Sequence, residues 1–437
     1  MPLREYLQRL SRQERLLRIT APISRNYEIA GVLKQLEPQP VWFENVLESS
    51  FGVIGNLFCT KSDFAAYFGL PVSGLIPRLA WAIDHRSPPQ IVDRAPCQQV
   101  IVEDPDLDTL PLLRHCEGDG GAYISSGVVV ARHPVWGQNL DFHRCMQFSK
   151  TEFAARVVHG RHFDAFLNDC GALDVAVCVG LPPNILAAAA TSVELGMDEL
   201  EIANALEPLQ VVRAKTVDLL VPAEAEFVLE GTIYRDRRHA EGPFVDLTGT
   251  YDLVRQEPVF VVKAITHRRD ALWQALLPGA LEHKLLMGMP REPTIYRKVS
   301  EVVKCLDVNV DPGGCSWLHA VVQIEKQDDD DGLKAIHAAF AGHSSCKHVF
   351  VVDHDIDIYN PQEVEWALAT RFQGDRGLVI KEKERGSSLD PSADPGTHLT
   401  TKLGFDLTKP IEAKGKTFDK ARFPEVDLSK YLYEPQF

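Results

Sequence analysis

Six polar residues in the middle of the chain have the types needed for metal-assisted acid–base chemistry. They lie in separate segments: Asn139 and Arg144 in QNLDFHR, His162 in GRHFD, Glu199 in GMDELEI, and Glu241 and Asp246 in EGPFVD. An amide, an imidazole and a carboxylate, with no thiolate, suit Mn²⁺ or Mg²⁺ better than a structural zinc. Such hard cations keep positions open for water or a phosphate oxygen. An arginine with two carboxyls can hold an anionic substrate and move a proton, because burial or a like-charged neighbour can tune the acid. If both sets meet in one pocket, the chain is a metal- and phosphate-using enzyme. Each residue also has a plainer reading: His162 as an ordinary satisfied histidine, and Arg144 with its two acids as a structural ion-pair network.

Positioning these groups takes a sizeable frame. At 437 residues the chain is too long for one ordinary core, so two or three domains are expected. The composition, 45% hydrophobic and 24% charged, is that of a soluble globular protein. A net charge of −15, from 61 acids against 46 bases, argues against a general nucleic-acid or anionic-membrane surface. The N-terminus MPLREYLQRLSRQERLL reads as an amphipathic helix without an apolar signal core. The most apolar stretch, Val179–Val193, is short and broken by Pro182, Pro183 and Asn184, so no membrane span is expected. Nine scattered cysteines without a C-x-x-C pair fit reduced thiols and a cytoplasmic setting.

The pattern suggests three units of a mixed α/β (α+β) protein. Residues 1–95 alternate helical and strand-like runs: a helix from Leu3, another at Ile29–Leu36, the apolar run Val41–Phe43, and a helix capped by Ser62 that ends at Gly69. Ser87-Pro88-Pro89 and the proline-punctuated segment to Pro111 read as linker. From Gly120 short β-rich runs dominate, with helical inserts at Phe163–Leu167 and Glu199–Leu206, so residues 96–305 suggest a barrel-like or split-sheet domain. Residues 306–437 begin with a βαβ crossover over Trp317–Ile324, Gly332–Phe340 and His348–Val352, expected to be right-handed. Asn360-Pro361-Gln362-Glu363 then caps a helix into Ala369, and the tail from about Glu382 reads as loop-rich.

Familiar motifs are missing. The sequence has no G-x-G-x-x-G, G-x-x-x-x-G-K-[ST], H-E-x-x-H or G-x-S-x-G. Asp353, Asp355 and Asp357 imitate the start of a calcium loop, but Ile358 stands where its turn glycine belongs and Val364 where its bidentate acid belongs. They read as a polar strand end leading into the Asn360 cap. Asp328–Asp331 reads as a solvated loop.

The order of the segments adds what no single one carries. QNLDFHR, a histidine 23 positions after its asparagine, PPNILAAAATSVELGMDELEIANAL, VPAEAEFVLEGTI with EGPFVDLTGTY, VVDHDIDIYNPQEVEWALATR and TTKLGFDLTKP follow one another over nearly the whole chain. In this series the chain resembles the UbiD family of decarboxylases, which use prenylated FMN. The resemblance implies a central split β-barrel flavin domain between a small N-terminal α/β domain and a C-terminal α/β domain that carries dimer contacts. It implies that Asn139, His162 and Glu199 bind a Mn²⁺ gripping the cofactor phosphate, with K⁺ on carbonyls near Leu140 and Ala188–Thr191. The flavin would lie along Asn139, Leu140, Asp141, Phe142, His143 and Arg144, near Met146, Arg161, Ala189 and Ala190. Arg144, Glu241 and Asp246 would be the catalytic network, and a flavin prenyltransferase would supply the cofactor. Ferulic-acid-type members carry a glutamate where this chain has Asp246, one methylene shorter, so the proton donor must sit differently. The lysine that some members place on the cofactor phosphate has no clean counterpart; Lys347 is nearest in sequence.

The resemblance implies reversible, non-oxidative decarboxylation of an aromatic, heteroaromatic (furan- or pyrrole-type) or α,β-unsaturated acid. An alternative within the family is an archaeal-type decarboxylase of anhydromevalonate phosphate, which would need a basic cluster; Arg235, Arg237, Arg238, Arg268 and Arg269 are candidates or else solvated strand ends. A non-catalytic flavin- or metal-binding accessory protein would not need the arginine and two acids. A metal-dependent hydrolase lacks an obvious base beside a metal-bound water. In PGALEHKLLMGMPRE, His283 and Arg291 are eight positions apart and would share a face if the helix persists. They could then bind a second anionic group of a flat substrate, in a pocket walled by Leu281, Leu285 and Met287 with Trp273 and Gln274 opposite. The plainer reading is an amphipathic helix with a wet polar edge.

Overall fold

The computed structural model describes residues 1–431 apart from 413, 414, 416, 419, 422, 428 and 429. The first helix, Leu3–Arg12, buries Leu3, Tyr6, Leu7 and Leu10, a helical stripe that packs on the next helices. The helix Lys61–Phe68 is capped by Thr60 rather than Ser62. The Thr60 side chain accepts from the Asp63 N–H while the Asp63 carboxylate takes the Thr60 N–H, and this reciprocal box sets the start two residues early. Gly69 ends it in the left-handed region at φ 68°. The N-terminal sheet runs Leu17–Ile19, Val41–Phe43, Gly52–Gly55 and Leu272–Gln274, so its last strand arrives from far along the chain, parallel to Gly52–Gly55. Residues 87–111 are not a free linker: Gln90–Val92 pairs with Gln210–Arg213, and Val100–Val102 adds to the large central sheet.

That sheet is antiparallel and has nine strands. Its main path runs Tyr123–Ile124, Cys145–Gln147, Glu152–Ala155, Arg255–His267, Phe227–Glu241, Ala172–Val179, Val128–His133 and Gly137–Phe142. The two longest strands shift register at Glu230/Gly231 and Tyr234/Arg238. A Cβ on Gly231 would lie 2.0 Å from the Val261 carbonyl oxygen, so only glycine allows this close passage. The helices Pro183–Ala190 and Glu199–Leu206 cover the sheet in one core shared with the N-terminal helices. Helical inserts thus appear where expected, the first at His162–Cys170.

The C-terminal sheet runs Lys304–Asn309, His319–Glu325, His348–Asp353, Leu399–Asp406 and Leu378–Arg385. His319–Glu325 and His348–Asp353 are parallel, with the helix Asp331–Gly342 between them, as the crossover pattern required. Asn360 caps Pro361–Arg371 by accepting the Gln362 N–H. The loop-rich tail is a correction. Leu378–Arg385 and Leu399–Asp406 pair antiparallel, and the second strand lies parallel to His348–Asp353. Phe405 accounts for it, stacking 4.9 Å from Phe350 and anchoring the strand. Among the described residues no helix is long and apolar enough to cross a membrane.

Candidate active site

Arg144 sits between the strands Gly137–Phe142 and Cys145–Gln147, and Glu241 ends the longest strand. A short hairpin, Phe244–Val245 with Tyr251–Asp252, then brings two more acids back over the arginine. Arg144 grips Glu241 bidentately, Nε to Oε1 at 2.9 Å and Nη2 to Oε2 at 3.1 Å. Its Nη1 faces Asp246 Oδ2 at 3.4 Å, and its Nη2 also donates to Asp252 Oδ2 at 3.1 Å. The guanidinium lies over the Phe244 ring, 4.8 Å from its centre. The turn after Glu241 needs glycine: Gly242 has φ 96°, and a Cβ on Gly120 would come within 2.1 Å of its carbonyl oxygen. Burial disfavours the Arg144 charge, but its hydrogen bonds to Glu241 and the three acids outweigh this and hold its pKa above the ordinary value.

Sequence reasoning missed Asp252. The signal was faint: two aspartates flank a Thr-Gly-Thr turn, and register places Asp252 opposite Phe244. Its Oδ2 is shared with Arg255 at 2.6 Å. Burial would raise the Asp252 pKa, yet its bond to Arg255 and the Arg144 charge hold it below the usual value. His283 faces the same centre. Its Nδ1 accepts the Gly279 N–H at 3.0 Å, so the neutral ring carries its proton on Nε2. Burial lowers its pKa, partly offset by Asp246.

Asn139, His162 and Glu199 lie in the neighbourhood of Asp141. Asn139 and Asp141, two apart on one strand, share a face. His162 and Glu199 are each the first residue of their helices. The Asp141 charge acts on both His162 and Glu199. Glu199, 3% exposed, accepts the Leu140 N–H at 2.8 Å, and burial pushes its pKa well above the carboxylate range. Burial also lowers the His162 pKa, which favours the neutral imidazole a ligand must be. The Asn139 Nδ2 is buried with no hydrogen-bond partner. Turning that amide over puts an oxygen in its place, so the orphan becomes a ligand atom. A buried acid without a cation, a neutral imidazole and an orphaned amide together fit a hard divalent ion. Asp141 and His143 form an ion-pair contact of 2.8 Å that is off hydrogen-bond alignment, while His143 Nδ1 binds the Arg156 carbonyl at 2.7 Å. Met146, Ala189 and Ala190 are buried, Leu140 fully so; Phe142 is half-buried and Arg161 exposed.

The second-anion reading changes in detail. The helix breaks into Leu281–Gly288, a 3₁₀ turn Met289–Arg291 and Glu292–Ser300, because Pro290 and Pro293 interrupt one continuous ladder. His283 looks to Asp246, whereas Arg291 donates to Ser192 and lies 5.1 Å over the Trp317 ring. Trp273 and Gln274 are corrections. Trp273 is core, packed 5.2 Å from Phe227, and the Gln274 amide oxygen is held by the Leu181 N–H at 3.0 Å. The basic cluster proposed from Arg235–Arg269 does not form either: Arg237 pairs with Glu152, and Arg268 with Glu224 and Glu226.

A different cationic group forms instead. Arg291, its Nε unpartnered, is held down at about 10 by burial and Arg161. His343 is pushed down to about 3 by burial, Arg291, Lys402 and Arg161. Lys402 is buried and donates only to the Ser344 carbonyl. Among the described residues no carboxylate lies within ion-pair distance of Arg161, Arg291 or Lys402. Lys347 by contrast is committed to Asp390 at 2.8 Å.

Comparison with known proteins decides the family. Models described as the N-terminal, Rift-related and C-terminal domains of 3-octaprenyl-4-hydroxybenzoate carboxy-lyase match residues 7–83, 90–281 and 284–407. The chain belongs to the UbiD family of carboxy-lyases. It is 41% identical to the anhydromevalonate phosphate decarboxylase of Methanosarcina mazei over 97% of this chain and 100% of that protein. It is 40% identical to the enzyme of the same name from Methanothermobacter thermautotrophicus, over 95% and 98%. Among solved structures it matches the UbiD-class enzyme HmfF from Pelotomaculum thermopropionicum in complex with FMN, at TM-score 0.95 and 35% identity over 99% of this chain and 100% of that one. The Klebsiella pneumoniae 3,4-dihydroxybenzoic acid decarboxylase matches at TM-score 0.90 and 26% identity, over 98% of each chain. As a UbiD family member the protein is a decarboxylase, and the family accounts for the mixed α+β, multidomain frame.

Proposed function

We propose that this UbiD family enzyme uses prenylated FMN to decarboxylate an α,β-unsaturated aliphatic acid that carries a phosphate, of the anhydromevalonate phosphate type. The observation that carries this choice over an aromatic or furan-type acid is the pair Arg291 and Arg161, without a carboxylate at ion-pair distance among the described residues, in a chain 37–43% identical to five enzymes named for that substrate. A phosphate would supply a counter-charge for this pair. Arg144 would take the substrate carboxylate, and Glu241, bidentate on the same guanidinium, would fix its orientation. The bond from carbon to CO₂ breaks, and Asp246 gives a proton to that carbon, so the carboxylate and one proton become an alkene and CO₂. When bound, prenylated FMN supplies the electron sink that an unsaturated acid otherwise lacks. Asn139, His162 and Glu199 would hold Mn²⁺ or Mg²⁺ on the cofactor phosphate, with K⁺ at the carbonyls near Leu140 and Ala188–Thr191.

The test is co-expression with a flavin prenyltransferase, then CO₂ release from a panel of phosphorylated unsaturated acids, their unphosphorylated counterparts and aromatic acids. Turnover of the phosphorylated acids at least about tenfold above the rest is expected. Preference for an aromatic acid, or full activity without flavin, would overturn the proposal.

A further inference from the structure

The end-on edge of the Arg144 guanidinium, its Nη1 and Nη2, is the fork that takes a carboxylate bidentately. In this structure two residues occupy it with one oxygen each: Asp246 Oδ2 at 3.4 Å from Nη1 and Asp252 Oδ2 at 3.1 Å from Nη2. Together the pair imitates a bound carboxylate. Glu241 holds the other edge and is wholly buried, so it cannot give way. Asp252 can. Its Oδ2 already lies 2.6 Å from Arg255 Nη1, its Oδ1 takes the Leu253 N–H at 2.9 Å, and its hairpin is two residues per strand with Gly249 at φ 73° near the tip.

We infer that Asp252 is a positioning residue, an internal stand-in that holds Arg144 Nη2 until substrate binds and yields it to the substrate carboxylate by moving wholly onto Arg255. Charge requires such a movement. Three acidic side chains already surround Arg144, two of them on that edge, with only Arg255 as a second cation among the described residues, and an incoming carboxylate would add a third acidic group to the edge. With Arg255 taking Asp252, each guanidinium keeps close acid partners and Arg144 is free to bind. The inference rests on Arg144 as the carboxylate anchor, not on the phosphate.

The test therefore uses 3-methylbutanoate, a saturated acid without phosphate, and its uncharged methyl amide, titrated by calorimetry into flavin-loaded protein. Asp252→Asn is expected to bind the acid about 5- to 10-fold tighter, and Arg255→Ala several-fold weaker, since Asp252 then has only Arg144. The double variant should behave like Asp252→Asn, and the amide should distinguish none of them. With a substrate that is turned over, the same shifts should appear in KM, with kcat changed less than twofold. Equal or weaker acid binding by Asp252→Asn, or an equal shift with the amide, overturns the inference. Should Asp252→Asn not fold, unchanged acid binding by Arg255→Ala overturns it alone. Arg144→Ala is the control: if it binds the acid as well as the parent, the anchor itself is misassigned.

Discussion

Two arginines in this protein, Arg371 buried and Arg144 largely so, look alike but differ in charge balance. Arg371 lies over the Trp366 ring at 5.1 Å and binds Asp355 bidentately, at 3.1 and 2.8 Å, and Asp353 at 3.2 Å. Lys409 completes the group, its Nζ 3.1 Å from Asp355 and its backbone N–H on Asp353. Two cations meet two acids. Burial would raise the Asp355 pKa, but bonds to Arg371 and Lys409 hold it at about 2. Arg144 also lies over an aromatic ring, yet it faces three acids with only Arg255 to help. Glu199 near Asp141 and Asp198, and Arg291 near Arg161, are unbalanced too, with opposite signs. A balanced buried network holds a fold, whereas surplus charge marks where a proton, metal or substrate supplies the difference.

Substituting the two arginines tests that contrast most strongly. Arg144→Ala should lower kcat by ~10²–10⁴-fold while the flavin spectrum stays close to the parent, and it also costs stability because it strands the wholly buried Glu241. Arg371→Leu should cost stability alone. It leaves Asp353 and Asp355 without their arginine and costs about 3–5 kcal/mol of stability, with kcat unchanged. Steady-state kinetics beside thermal unfolding reads both, and equal losses of activity and stability in the two variants would erase the distinction.

A smaller effect is expected at the acidic centre. Glu199→Ala and His162→Ala should weaken metal retention by ~10–100-fold, measured by elemental analysis after dialysis, and flavin should be lost with the metal. Glu241→Gln should retain both. A variant of Glu199 that keeps metal and flavin would return that residue to the capped helix start it also occupies.

At the basic centre, Arg291→Ala should lower kcat/KM for a phosphorylated acid by ~10- to 100-fold, the scale of a lost charge-assisted contact, and change an unphosphorylated acid little. Equal effects on both would show that Arg291 serves packing on Trp317 alone.

How much of this was legible in the sequence follows from how each group is assembled. Asn139, Arg144, Glu241 and Asp246 sit in compact motifs whose order carried the family resemblance. The Asn360 cap and the crossover also follow from local rules, because caps and periodicity are written within a few residues. Asp252 joins Arg144 only through the register of a two-residue hairpin. Arg161, Arg291, His343 and Lys402 span 161 to 402 in sequence and meet only in the tertiary structure. Arg235, Arg237 and Arg238 misled for the converse reason. Contiguity suggested a cluster, but neighbours on a strand point to opposite faces, and these lie on the stretch of it that leaves the core.

The smallest expected effect on turnover belongs to Glu282, the neighbour of His283, and it tests whether surplus charge always means a ligand. Glu282 is 2% exposed, has no cation partner, and accepts the Phe58 N–H at 3.1 Å with its other oxygen unpartnered. Burial pushes its pKa up from 4.5 to about 8, so at neutral pH it keeps its proton and carries no charge to compensate. The same cause raises Glu292 to about 7 even though Lys61 lies 2.7 Å away. Because the folded pKa exceeds the unfolded one, the folded state binds the extra proton between pH about 4.5 and about 8. This contribution to stability is complete below pH about 4.5 and is lost as pH rises to about 8. Glu282→Gln fixes the neutral form, so its melting temperature should fall less than the parent's from pH 5 to pH 8, with kcat within twofold of the parent. Parallel melting curves would mean that Glu282 is ionised in the fold, and a cation at this carboxyl would then have to be found.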